Sequence, residues 1–265
     1  MKRTLLCAGG LVAVLALAGM GFAQTAAEHI LKGDEYFAAF EDQQALDEYL
    51  AAVQLEPANY EALWKAARGI VDVSDLITGT DKASKEKRRT MYNDAVSYAK
   101  RAVAANPNDT WGHFIYSSAM GNKALLMSTK DQIDASKRIR AEIDKAIELD
   151  ATNDLAYHAL GRWHRRMAEI GGAKRFFGGL IYGSIPKGSF DEAVKAFQKA
   201  IELKPDYVNH HIELARTYMA MSKFDLAVPE YQKTIDMPMS SSKDKDLKAE
   251  AAVEIEKAKR KQKLD

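Results

Sequence analysis

Gly33-Asp34-Glu35-Tyr36, followed by Ala45 and Tyr49 and then by Ala52 and Pro57, carries the spacing that decides how this chain folds. The same spacing returns near the other end as Ala215, Tyr218, Ala227, Tyr231, Thr234 and Pro238, with every interval but the last identical. Two antiparallel helices approach closely only where small residues sit at the crossing, and aromatic rings are expected to fill the gaps between one helical pair and the next. Gly33 and Ala45 suit the crossing point of one hairpin, and Ala52 suits contact with the following hairpin. Pro57 stops the second helix because it lacks the N–H that a further turn needs. A hairpin of this kind cannot bury its apolar face alone, so a returning pattern predicts a stack of them.

The pattern resembles the tetratricopeptide repeat, whose period is about 34 residues. No Asn-Gly hairpin and no sustained apolar-polar alternation rich in β-branched residues is present, so the expected class is all-α. The predicted architecture is a tetratricopeptide-like α-solenoid of about five helical hairpins with a C-terminal capping helix. The first hairpin is predicted over 26–55, and the second around Leu63–Ile70 and Tyr92–Ala102, with polar Thr78–Lys87 as a loop between its helices. The third uses Trp111–Leu126 and Thr129–Leu149, and the fourth Leu155–Ile170 and Phe190–Leu203. The fifth uses Tyr207–Met221 and Phe224–Ile235, before a charged cap over 243–263. In the fourth hairpin Gly161 and Ala193 are 32 residues apart where Gly33 and Ala45 are 12 apart, so about twenty residues are inserted. That insert, 171–188, is apolar and glycine-rich. It reads either as a segment packed over the solenoid edge or as a flap that contacts a partner.

Lys2 and Arg3, the apolar run Leu5–Met20 and the small residues before Gln24 have the layout of a secretory signal peptide cut after Ala23. The alternative is an uncleaved membrane anchor, the one circumstance in which membrane contact is expected. The domains expected are therefore 1–23 as signal and 24–265 as helical repeat, with an exported, periplasmic or secreted location. The whole chain has 38 basic and 37 acidic residues, a formal charge of +1; without Lys2 and Arg3 it is −1. Cys7, the only cysteine, leaves with the signal, so packing rather than a disulfide must hold the exported chain together. A near-neutral balance offers no general attraction to nucleic acid.

Further along, Ile143-Asp144-Lys145-Ala146-Ile147-Glu148-Leu149-Asp150 is followed by His158-Ala159-Leu160-Gly161-Arg162-Trp163, Phe176-Phe177-Gly178, and Ala193 through Pro205. Over roughly 59–257 the chain resembles the regulator of microtubule dynamics family. The resemblance implies an all-helical, tetratricopeptide-like fold and a binding role. Microtubule association belongs to eukaryotic members, and an exported chain does not meet microtubules, so the fold and the binding character carry over and that partner does not.

In repeats two, four and five the residue after each crossing position is arginine: Arg68, Arg162 and Arg216. Arg165, Arg166 and Asn209 would sit beside this ladder, with Trp64, Trp111, Phe114 and His158 as apolar or stacking walls. Guanidinium groups bind carboxylates bidentately, so the ladder predicts a concave groove for an acidic or C-terminal peptide segment. The plainer alternative is that these arginines pair with Glu61, Asp72 or Glu213 inside the solenoid. No metal site is expected, because His158 and His164 fall on different helix faces and the adjacent His210 and His211 diverge. No phosphate loop or nucleophile motif is present, so no cofactor and no catalytic residue is expected. The basic run Lys257–Lys263 ends a helix favourably.

The reading is a scaffold, not an enzyme, that binds a protein or peptide through its concave groove. Its alternative is a structural subunit of an envelope assembly, binding through the convex face or the insert, with the groove filled by the chain's own segments. No sequence feature encodes the oligomeric state.

Overall fold

The computed structural model describes residues 24–263; the expected signal over 1–23 lies outside them. α1 (Ala26–Ala38) pairs with α2 (Asp42–Leu55), α3 (Tyr60–Asp75) with α4 (Lys82–Ala105), and α5 (Thr110–Ala124) with α6 (Thr129–Leu149). α7 (Asp154–Ala168) is followed by the inserted α8 (Gly172–Tyr182) and pairs with α9 (Phe190–Leu203). α10 (Val208–Ala220) pairs with α11 (Phe224–Asp236), and α12 (Asp244–Gln262) closes the array. Among the described residues there is no strand. Among the described residues the helices stack as hairpins closed by a final helix, the tetratricopeptide-like solenoid that the spacing predicts.

Three of the four turns between hairpins share one chemistry, the turn before α10 having no side-chain cap. Asn59, Asp109 and Asn153 each precede an α-helix, and their side-chain oxygens accept from the backbone N–H of Ala62, Trp111 and Ala156 at 3.0, 3.0 and 3.1 Å. These caps satisfy donors that the first turn leaves unpaired. The first helices of successive hairpins touch one another, whereas the second helices splay apart. The first helices therefore form the inner, concave layer.

The aromatics differ from expectation in where they act. The Tyr49 ring lies against Gly33 of its own hairpin, where an added Cβ would come within 2.5 Å of it, and the Phe197 ring lies against Gly161, at 2.8 Å. Tyr49, Phe197 and Tyr231 are completely or almost completely buried. The ring thus fills the crossing within a hairpin, because a glycine there leaves a hollow that only a flat side chain fills. Removing such a ring costs about 3–5 kcal/mol.

Two other segments also depart from expectation. The polar stretch 82–87 is helical, because the Asp81 carboxylate caps α4 by accepting from Ala83 and Ser84 N–H at 2.9 and 3.0 Å. The insert is a helix whose ends are packed: the Arg175 guanidinium donates to the carbonyls of Met167 and Pro186, and Ile185 is buried. In its middle the adjacent side chains of Leu180 and Ile181 are 73% and 72% exposed.

Gly161→Ala should lower stability by about 1–3 kcal/mol, because Phe197 must move. Gly121→Ala, where nothing lies within 4 Å, should be neutral or stabilising. Thermal unfolding of the two variants beside the parent checks this; equal melting temperatures would contradict the close crossing.

Candidate functional site

Each first helix places a ladder residue eight positions after its start: Asp34, Arg68, Ser118, Arg162 and Arg216. The fixed offset from the helix start adds Asp34 and Ser118 to the three arginines recognised in the sequence. The ladder is not a row of free charges. Arg68 stacks on Phe37, its guanidinium carbon 3.7 Å from the ring centroid, and donates to the Tyr49 hydroxyl at 3.1 Å. Asp34 accepts from that hydroxyl at 2.8 Å and pairs with Lys65 at 2.6 Å.

At the far end one buried carboxylate organises the face. Glu213 on α10 receives the Arg165 guanidinium of α7, and its other oxygen lies 2.7 Å from Arg216, which also reaches Glu250 of α12 at 2.5 Å. Burial alone would raise the Glu213 carboxyl, but the fields of Arg165, Arg162 and Arg216 outweigh it and hold the group down at about 2. Arg162 is half-buried and makes no ion pair among the described residues. Arg166 is exposed and lies 3.7 Å from Glu169, and Asn209 is half-buried on α10.

The expected walls divide in two. Trp64 and Trp111 stack with centroids 5.2 Å apart and planes 16° from parallel, and Phe114 meets Trp111 edge-on at 6.1 Å. His158 is not a wall: it is buried, with Nδ1 3.0 Å from His210 Nδ1. His210 Nε2 lies 2.9 Å from Asp154 and donates to that carboxylate, so its Nδ1 accepts and His158 donates. Burial pushes both imidazoles below 6.5, His158 far below, while Asp154 opposes the shift at His210.

Sequence reasoning missed a strap across this face. Ser240 to Lys243, between α11 and α12, is held by the buried Asp244, which accepts from Ser240 and Ser241 N–H and from both hydroxyls at 2.5–2.9 Å. The strap reaches the opposite end of the array: Lys243 Nζ lies 2.9 Å from both Asp72 and Asp75 of α3, and the Ser242 hydroxyl donates to Asp42. Asp72 and Asp75 hold the Lys243 ammonium well above its ordinary range against the desolvation that would lower it. The ends of the solenoid are thereby tied together.

Two cavities among the described residues lie away from this face. One of about 550 Å³ sits between the start of α4 and the turn after α5, and one of about 200 Å³ adjoins it between α4, α5 and α6. No group of three or more His, Cys, Asp or Glu side chains is placed to hold a metal, and no helix is long and apolar enough to cross a membrane, both among the described residues.

This geometry defines a tetratricopeptide-type helical-repeat protein. TTC0263, a thermophilic tetratricopeptide protein of Thermus thermophilus, superposes with a TM-score of 0.62 at 18% identity, covering 86% of this chain and 98% of that one. The chain belongs to the regulator of microtubule dynamics protein 1-3 family, whose model matches residues 29–259. Relatives include regulator of microtubule dynamics protein 1 of Bos taurus, 27% identical over 85% of this chain and 70% of that protein. The protein of the same name from Caenorhabditis elegans is 24% identical over 82% and 93%.

Stability should fall in two stages as pH drops. Below pH 6.5 the unfolded chain takes up protons that buried His158 and His210 refuse, which favours unfolding. The Glu213 contribution is complete above about 4.5 and is lost as pH falls toward 2, a difference of roughly 3 kcal/mol. Urea unfolding midpoints from pH 8 to 3 check this; a flat profile between pH 6.5 and 5 would contradict the neutral histidine pair.

Proposed function

We propose that this chain is a non-catalytic, exported helical-repeat scaffold that binds a protein partner through its outer surface, with the apolar face of α8 as the principal contact. The observation that carries the reading is the state of the concave face. Its arginines are engaged by Glu213, Glu250, Tyr49 and Phe37, and the Lys243 strap crosses it. A groove whose guanidiniums already have partners gains little by taking a foreign carboxylate, since each exchange gives up an existing pair. Arg162 and Asn209 are what remains of the groove reading. By contrast, Leu180 and Ile181 leave about three quarters of their surface in water, on a helix whose ends are anchored. Apolar side chains held out in this way favour a macromolecular contact.

The relatives are named as regulators of microtubule dynamics. What carries over is partner binding by a helical repeat; the export-type segment over 1–23 favours a partner in the envelope or outside the cell.

Residues 24–265, immobilised, should capture a defined partner from the native envelope fraction, identified by mass spectrometry. Arg162→Ala should retain that partner, and Leu180→Asp/Ile181→Asp should lose it with an unchanged melting temperature. Loss with Arg162→Ala and retention with the α8 variant would restore the concave groove as the site.

A further inference from the structure

The second helices are unequal. α2, α9 and α11 have 14, 14 and 13 residues, but α4 has 24 and α6 has 21. Four residues separate α2 from α3, α4 from α5, α6 from α7 and α9 from α10, so the extra length of α4 and α6 lies at their N-terminal ends. Two helical arms thus extend past α5, whose 15 residues are ordinary for a first helix.

The two adjoining cavities occupy the space these arms leave, and Met127 lines both. One stripe of α4 forms a wall along the whole length, through Lys82, Lys85, Arg89, Val96 and Lys100. Those positions recur at helical spacing on one face. From Lys82 to Lys100 the stripe rises roughly 27 Å at 1.5 Å per residue. The floor is apolar, made by Leu125, Leu126 and Met127 and by Met120 of α5, and Leu125 is 53% exposed.

The charge of the slot is mainly positive, Glu86 being the one acidic side chain that lines it. Arg89 is paired with Glu86 at 2.6 Å, but Lys82, Lys85, Lys100 and Lys123 make no ion pair among the described residues. Four unpaired ammonium groups beside an apolar floor distinguish this surface from the concave arginines, whose charge is largely met within the chain.

We propose that the slot between α4 and α6 docks an acidic amphipathic helix of a partner protein. The partner's apolar stripe lies on Leu125, Leu126, Met127 and Met120, and its carboxylates lie along the lysines. A helix of about 18 residues matches the slot's length. The mode is that of a helix laid in a groove, with apolar anchors at i, i+3, i+4 and i+7 and with charges setting specificity and on-rate. The inference rests on the scaffold reading only in taking the partner to be a protein; it does not need α8.

The probe is a labelled synthetic 18-residue helix with leucine on one face and glutamate elsewhere, beside a counterpart with lysine in place of glutamate. Fluorescence anisotropy with residues 24–265 should show binding of the glutamate peptide only, weakening as salt is raised. Lys82→Glu/Lys85→Glu should weaken it at least tenfold and gain affinity for the lysine peptide. Leu125→Glu should abolish binding at an unchanged melting temperature. Leu180→Asp/Ile181→Asp should bind the glutamate peptide like the parent, so that failure of the α8 reading and failure of this one are separately visible.

Equal binding of both peptides, or no effect of the slot variants, overturns the proposal. Sedimentation with phosphatidylserine vesicles that depends on Lys82 and Lys85, without peptide binding, would make the slot a lipid-binding surface and would also overturn it. So would a concentration-dependent dimer that the slot variants abolish, since the occupant would then be a second copy.

Discussion

A carboxylate taken out of water costs several kcal/mol unless cations and hydrogen bonds replace its hydration, and the concave face of this protein is organised around one such group. Glu213 is almost fully buried on α10, holds Arg165 of α7 and Arg216 of its own helix, and through Arg216 reaches Glu250 of α12. Three helices, α7, α10 and α12, are thereby cross-linked by charge. Behind this face Gly161 leaves room for the Phe197 ring within its own hairpin, and Ala215 and Tyr231 belong to one core cluster. What a shallower array would offer as a binding surface is here interior. The buried His158–His210–Asp154 chain, also between α7 and α10, has the same character.

Closing the face has a consequence for the whole array. In an open solenoid each hairpin contacts only its neighbours, so the two ends are energetically remote. Here Lys243 and Ser242 join the last turn to Asp72, Asp75 and Asp42 near the beginning, with Asp244 fixing the strap's shape. The ends constrain one another, and on the outside α8 and the long arms of α4 and α6 break the regularity of the repeat. Apolar surface is held in water at Leu180 and Ile181 of α8 and at Leu125 in the turn before α6.

The hairpin plan was legible because the information is local. Small and aromatic residues at fixed offsets, with Asn or Asp before each of three first helices, specify the hairpins and their turns over a few dozen residues. The same pattern placed Arg68, Arg162 and Arg216 at equivalent positions, on α3, α7 and α10. Sequence could not settle which charges they meet: Glu213 and Glu61 were equally available as partners, and the choice depends on helix approach in three dimensions. The strap was invisible for a stronger reason, since its contacts join residues 168 to 200 positions apart. The start of α4 was hidden by composition, because a polar, lysine-rich stretch reads as a loop unless the Asp81 cap is weighed. Of the residues read as walls, Trp64, Trp111 and Phe114 form one aromatic group, while His158 is part of a buried polar chain.

The central claim is that the inner face is a charged core whose ion pairs are internal, and a double-mutant cycle on Arg165 and Glu213 tests it most directly. Urea unfolding of Arg165→Met, Glu213→Gln and the double variant should show each single change costing about 3–5 kcal/mol, because each strands a buried charge. The double variant should recover much of that loss, giving a large coupling energy between the two positions. Single variants as stable as the parent, with no coupling, would mean that Glu213 and the arginines face water, and the account of a closed concave face would be wrong.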